Sequence, residues 1–111
     1  MTKADSVHIE TLSVHAGRRP DSATAAISPP IHLSTTFERE ANGEYPHGFS
    51  YSRVANPNRT QLETCLAALE AGSEAFAFAS GVAAAMTLFQ ALNPGDHVVC
   101  SQDAYHGIQR L

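Results

Sequence analysis

The second half of the chain predicts an α/β fold with a parallel sheet. Two observations carry this prediction. Stretches with helical apolar periodicity alternate with short apolar runs of strand length, and turn-forming residues such as Gly, Ser, Asn and Pro separate them. Alternation of helix and strand is typical of a parallel sheet whose crossovers are right-handed.

The first half of the chain, by contrast, is rich in turn formers and poor in periodicity. Pro29-Pro30 excludes a helix at that point, because proline lacks the N–H and restricts the residue before it. A long irregular segment is unusual in a compact domain unless it is functional or supported from outside. We therefore interpret residues 1–55 as an arm that lies on another domain or subunit, and residues 56–111 as the α/β part.

The first regular element is a helix that starts at Asn56-Pro57. Asn is a preferred N-cap and Pro is favoured at the first helical position. Gly72 is expected to end this helix. The apolar residues that share one helical face are Leu62, Cys65, Leu66 and Leu69.

A predicted buried strand follows at Glu74–Ala79, with Phe76 and Phe78 on one face. Ser80-Gly81 then opens a predicted helix over Val82–Leu92. That segment is apolar nearly all round, which is typical of a buried helix.

A turn at Pro94-Gly95-Asp96 leads to a second predicted strand, His97–Ser101. Another helix is expected to begin within His106–Leu111. Two strands make a poor parallel sheet, because such a sheet needs both faces covered. Residues 56–111 are therefore interpreted as the first part of a larger domain.

Composition argues against several classes of protein. The net charge is −4 and no block of Lys or Arg occurs, which argues against a nucleic-acid partner. The uncharged run Ala75–Leu92 is Ala-rich, contains polar residues and lacks a basic or aromatic flank, so no membrane partner is expected. The first residues lack the apolar core of a signal peptide, which favours a cytoplasmic protein.

The metal-binding residue types are not arranged as a metal site in the sequence. Cys65 and Cys100 are far apart, and we expect both to be reduced, buried small hydrophobes. None of the six histidines is paired with a carboxylate or cysteine at metal spacing.

Ser80-Gly81-Val82 is the first candidate binding element. It lies between a predicted strand and a helix N-terminus, where free N–H groups and the helix dipole favour an anion. Gly81 lets a ligand approach the backbone closely. Taken alone, however, these residues favour an ordinary N-cap serine and a packing glycine over an anion site.

Two further candidates flank that element along the chain. Tyr51 and Arg53 offer a hydroxyl and a planar fork of donors suited to phosphate, although a surface arginine beside a packed tyrosine is the alternative. Tyr105 follows the second predicted strand and could stack on a planar ligand, or it could simply pack the loop.

The joint order of these elements resembles one family. YSRVANPNRTQLE, then FASGVAAAM, then PGDHVVCSQDAYHG is similar to the transsulfuration family of enzymes dependent on pyridoxal 5′-phosphate (PLP). VHAG and PPIHLSTTF resemble that family's opening, so the likeness runs from about Thr11 to Leu111. The resemblance implies the large domain of a fold type I PLP-dependent transferase, preceded by the irregular arm.

The resemblance also implies roles for individual residues. Tyr51 and Arg53 would reach the PLP phosphate of a neighbouring subunit in a homo-oligomer, a dimer of dimers. The amides of Gly81 and Val82 would hold the phosphate of their own subunit, with Ser80 beside them. Tyr105 would stack on the pyridine ring and assist proton transfer.

The implied reaction is β- or γ-elimination or γ-replacement on cystathionine, O-acyl-homoserine or a related amino acid. Two departures bear on it. The family usually has Gly-Gly after the stacking tyrosine, whereas His106-Gly107 stands here. The only lysine is Lys3, in the tail, so the lysine that carries the cofactor is expected outside this chain. A non-catalytic α/β interaction module and a non-functional truncated remnant stay as alternatives.

Overall fold

The computed structural model describes residues 7–111, so Lys3 lies outside the described residues. The chain divides into two compact units, of which the first ends at Phe76 and the second runs from Ala77 to Leu111. Helices α1 and α2 pack together in the first unit, and α3 and α4 pack together in the second. The helices of the described residues are α1 (Ile9–His15), α2 (Pro57–Leu69), α3 (Gly81–Phe89) and α4 (His106–Gln109).

Helix α2 begins as the sequence predicts. The side chain of Asn56 accepts a hydrogen bond from the N–H of Asn58 at 2.9 Å, and Pro57 is the first helical residue. The end of the helix differs in one detail. Ala71, and not Gly72, adopts the left-handed conformation, with a φ of 52°. The N–H of Gly72 bonds back to the Ala67 carbonyl at 2.8 Å, which completes the usual C-terminal motif.

Helix α1 lies in the arm, where the sequence predicts no helix. It has seven residues, and its N-cap residue His8 makes no side-chain capping bond. So short a helix is marginal in isolation and gains its stability from packing, here against α2. Gly17 follows it with a φ of 73°, and a Cβ added there would lie 3.1 Å from the N of Cys65 and even closer to the Gln61 carbonyl.

The prediction of two buried strands is wrong for the described residues. Neither Glu74–Ala79 nor His97–Ser101 forms a strand, and the β pairing recorded within the described part of the chain is one antiparallel bridge between Thr36 and Tyr51. Phe76 is 71% exposed. A strand needs a hydrogen-bonded neighbour and a cover for its apolar side chains, and the described residues supply no sheet for either segment.

The helix that follows Ser80 is also shorter and less buried than the sequence predicts. α3 spans Gly81–Phe89 instead of Val82–Leu92, and none of its residues is fully buried. The prediction that both cysteines are buried is wrong, because Cys65 is only half-buried and Cys100 is exposed, although both are free thiols. Among residues 7–111, Ala67 is the only buried apolar residue. The described residues therefore form four helices and one β bridge, without a parallel sheet.

The described residues contain no helix with the length and apolarity that crossing a membrane requires. Nor do residues 7–111 hold a cluster of three or more His, Cys, Asp or Glu side chains arranged for a metal ion.

Candidate functional site

The N-terminus of α3 is formed by Ser80. This residue has an extended backbone, and its Oγ accepts a hydrogen bond from the N–H of Ala83 at 3.1 Å. The serine therefore acts as an N-cap, which satisfies one of the first N–H groups of the helix. The N–H groups of Gly81 and Val82 have no recorded acceptor within residues 7–111.

The space beside Gly81 is open. A Cβ placed on this residue would find no heavy atom within 4 Å, and the residue is exposed. The free N–H groups at the start of a helix carry the positive end of its dipole. The space beside Gly81 is therefore free for an anion such as a phosphate.

The ring of Tyr105 lies close to this helix start. A Cβ on Gly107 would lie 2.8 Å from Cε1 of Tyr105 and 3.1 Å from Cγ2 of Val82. Both side chains therefore contact the same glycine. Tyr105 directly precedes α4, and 70% of its surface is exposed. An aromatic ring beside a free helix N-terminus can cover a planar ligand whose anionic group sits at that N-terminus.

The position that departs from the family pattern is His106. It is the first residue of α4 and its side chain is exposed, so a residue larger than glycine is accommodated there. Gly107 is half-buried between Tyr105 and Val82. Of these two positions, the chain keeps glycine at 107, where a Cβ would collide with neighbouring side chains.

Tyr51 and Arg53 form the other predicted group, which lies in the first unit. Tyr51 forms the bridge to Thr36, and the N–H of Ser52 donates to the Thr35 carbonyl at 2.8 Å. The guanidinium carbon of Arg53 lies 4.9 Å from the centroid of the Tyr51 ring, within the range of a cation–π contact. The arginine is exposed, and the described residues place no carboxylate within ion-pair distance of it. Its charge is thus available to an anion.

Arg59 belongs to the stretch YSRVANPNRTQLE, but the sequence gives it no role of its own. The structure places it against the backbone of Arg53. Its guanidinium donates to the carbonyls of Arg53, at 3.3 Å, and of Val54. The sequence signal that could have identified Arg59 is its position in the first turn of α2. A positive charge there is unfavourable, because it lies at the positive end of the helix dipole. Such a placement indicates a partner outside the helix.

The predicted site residues thus fall into two groups. The structure brings Ser80, Gly81, Val82 and Tyr105 together in the second unit, and Tyr51 and Arg53 together in the first.

A family comparison decides what kind of protein carries this arrangement. Residues 10–111 match the family described as Cys/Met metabolism PLP-dependent enzyme. The chain belongs to this family. The sequence-based resemblance to the PLP-dependent transsulfuration enzymes is thereby confirmed, and the cofactor of this Cys/Met metabolism family is PLP.

Individual members of the Cys/Met metabolism PLP-dependent family are similar to the chain over nearly its whole length. Cystathionine beta-lyase of Coxiella burnetii is 46% identical over 104 residues, which cover 94% of this chain and 27% of that protein. Cystathionine gamma-synthase of Mycobacterium tuberculosis is 50% identical over 102 residues, which cover 91% of this chain and 26% of that protein.

Solved structures of this family match the chain as well. The crystal structure of metB from Corynebacterium glutamicum superimposes with a TM-score of 0.88 at 43% identity. The match covers 98% of this chain and 29% of metB. The chain therefore spans about a quarter of the length of the curated relatives that it matches.

Proposed function

We propose that this chain supplies the phosphate-binding part of the PLP site in an enzyme that acts on sulfur-containing amino acids. One observation carries the proposal. The N–H groups of Gly81 and Val82 are free at an open helix N-terminus, and the Tyr105 ring lies against the same glycine as the Val82 side chain. Phosphate and aromatic ring are the two parts of PLP that these groups would bind.

In this proposal the backbone of α3 holds the phosphate. Gly81 and Val82 donate their N–H groups to it, and the helix dipole adds favourable charge. Ser80 shapes the turn through its capping bond to Ala83. Because Val82 contributes its amide and not its side chain, the contact does not depend on which side chain stands there. The Tyr105 ring orients the pyridine ring by stacking.

Tyr51 and Arg53 contribute from a neighbouring subunit in this proposal. The arm of residues 1–55 wraps that neighbour, in a homo-oligomer of fold type I chains built as a dimer of dimers. Support comes from the family membership and from the exposed, unpaired charge of Arg53. A guanidinium binds phosphate oxygens in a bidentate manner that is well suited to a shared site.

The bound cofactor would supply an electron sink for the substrate α-carbon. In this proposal the residues of this chain hold and orient it, and Tyr105 assists proton transfer beside the ring. Two of the relatives are named cystathionine beta-lyase and cystathionine gamma-synthase. These names support a reaction on cystathionine. The proposed reaction is elimination or replacement on cystathionine, O-acyl-homoserine or a related amino acid, in the cytoplasm.

The proposal is tested in the protein expressed from its complete reading frame. Arg53→Ala should weaken the affinity for PLP by about ten- to a hundredfold, because one charge-assisted contact to phosphate is lost. Arg39→Ala is the matched control, since Arg39 also lies over a tyrosine, at 5.9 Å from the Tyr45 ring centroid. Equal affinities in the two variants would contradict the phosphate assignment and favour a non-catalytic module.

A further inference from the structure

Arg59 connects helix α2 to the turn before it through one side chain. It is the third residue of α2. Its Nη1 donates to the Arg53 carbonyl at 3.3 Å and its Nη2 donates to the Val54 carbonyl. Its Nε lies 3.5 Å from Oε1 of Glu63. Every nitrogen of this guanidinium therefore has a partner within the protein.

The stability of helix α2 does not explain why an arginine stands at this position. Asn56 already caps the helix. A cation in the first turn faces the positive end of the dipole, which is unfavourable. The pair with Glu63 is an i,i+4 pair with the cation on the N-terminal side, which is the weaker orientation. From this position, the guanidinium donates to carbonyls of the turn that precedes the helix.

That turn carries Arg53. On its N-terminal side, the N–H groups of Val54 and Ala55 donate to the Tyr51 carbonyl at 2.9 and 3.0 Å. On its C-terminal side, the carbonyls of Arg53 and Val54 accept hydrogen bonds from the Arg59 guanidinium. The planar fork of an arginine can bind two successive carbonyls at once, whereas the single ammonium of a lysine cannot reproduce that geometry.

We infer that Arg59 is a positioning residue that fixes the backbone of Arg53 so that the Arg53 guanidinium meets the cofactor phosphate. The inference rests on the proposed function. The Arg53 side chain is held from one direction by the Tyr51 ring and its main chain from another by Arg59. Arg59 acts through Arg53 and makes no contact with the cofactor itself.

The test compares PLP with pyridoxal, which lacks the phosphate, in the protein expressed from its complete reading frame. Arg59→Ala should weaken PLP binding by about tenfold and leave pyridoxal binding unchanged. The double variant Arg53→Ala/Arg59→Ala should bind PLP no more weakly than Arg53→Ala alone, because both changes remove one coupled interaction. Arg39→Ala is the control and should bind both compounds as the unaltered protein does.

A second variant keeps the test decisive where Arg59→Ala impairs folding. Arg59→Lys keeps the charge and the aliphatic stem but loses the fork, so it should also weaken PLP binding while sparing pyridoxal. Unchanged PLP affinity in both Arg59 variants would overturn the inference, as would equal losses for PLP and pyridoxal or an additive double variant. Unchanged PLP affinity in Arg53→Ala contradicts the proposed function instead, so the two failures are distinguishable.

Discussion

The Tyr105 ring and the Val82 side chain lie against one glycine, Gly107, whose added Cβ would be 2.8 Å from the ring and 3.1 Å from Val82. This contact places an aromatic ring beside the free N-terminus of α3. The spacing between the ring and the helix start therefore depends on the absence of a side chain at Gly107.

Gly107→Ala should displace the Tyr105 ring. The ring is 70% exposed and can swing away, so the free energy of unfolding should fall by less than about 1 kcal/mol. Cofactor binding should suffer more, because the displaced ring no longer stacks. Affinity for PLP and for pyridoxal should both fall by about three- to tenfold, measured by titration. His106→Ala, at the exposed neighbouring position, is the control. Unchanged affinities in Gly107→Ala would contradict the role of the ring.

Gly81→Ala should separate stability from binding. The new methyl group meets no heavy atom within 4 Å, so the melting temperature should change little. The same methyl group occupies the approach to the two free amides, and PLP affinity should fall by about tenfold or more. Gly72→Ala is the control, since its Cβ would make only ordinary contact at 3.5 Å. Normal PLP binding by Gly81→Ala would mean that the phosphate lies elsewhere.

Gly17→Ala should destabilise the contact between the arm and α2. Gly17 and Gly48 have similar positive φ values of 73° and 76°, but a Cβ on Gly48 would meet nothing within 4 Å. Each alanine costs about 1–2 kcal/mol for its left-handed backbone. The collision with the Gln61 carbonyl should add about 1–3 kcal/mol to the Gly17 variant alone. Equal losses of melting temperature would show that packing on α2 does not constrain this turn.

Asp21 should titrate below the ordinary range of an aspartate. The Thr24 hydroxyl donates to its Oδ1 at 2.8 Å and lowers its pKa most, followed by the N–H of Thr24. Because the folded pKa is depressed, the stabilisation of the Asp21–Ala26 turn is present above the unfolded pKa and is lost as pH falls through the folded pKa.

This titration can be followed by NMR of the Asp21 carboxyl group. Thr24→Val removes the hydroxyl and should raise the pKa part of the way to its ordinary value. Thr64→Val is the matched control, because the Thr64 hydroxyl bonds only within α2, to the Thr60 carbonyl at 2.8 Å. An Asp21 that titrates at its ordinary value in the unaltered protein would contradict the hydrogen-bond account.

The starts of the two main helices could be predicted because capping depends on a few adjacent residues. Asn56-Pro57 and Ser80-Gly81 carry their own donors and acceptors, and the structure places both caps at the predicted residues. Strands are different, because Glu74–Ala79 needs a pairing partner that no local pattern can specify. Burial likewise depends on what packs from outside the segment, which is why Cys100 is exposed against expectation.

The site shows the same division. The sequence order predicts Gly81 and Tyr105 as candidates, but only the structure reveals that Gly107 brings the Tyr105 ring against Val82. The role of Arg59 depends on two carbonyls that are five and six residues away along the chain. Such contacts follow from the shape of a turn, which residue types alone do not determine.

The most direct test of the central claim is to place this chain in a solved relative. A fusion would carry the chain in place of the 29% of Corynebacterium glutamicum metB that it matches. We predict that the fusion, folded by circular dichroism, retains PLP in stoichiometric amount, and that Arg53→Ala within it weakens PLP binding but not pyridoxal binding. A fusion that folds like metB but retains no PLP would contradict the account. An unchanged PLP affinity of the fusion on Arg53→Ala would contradict it as well.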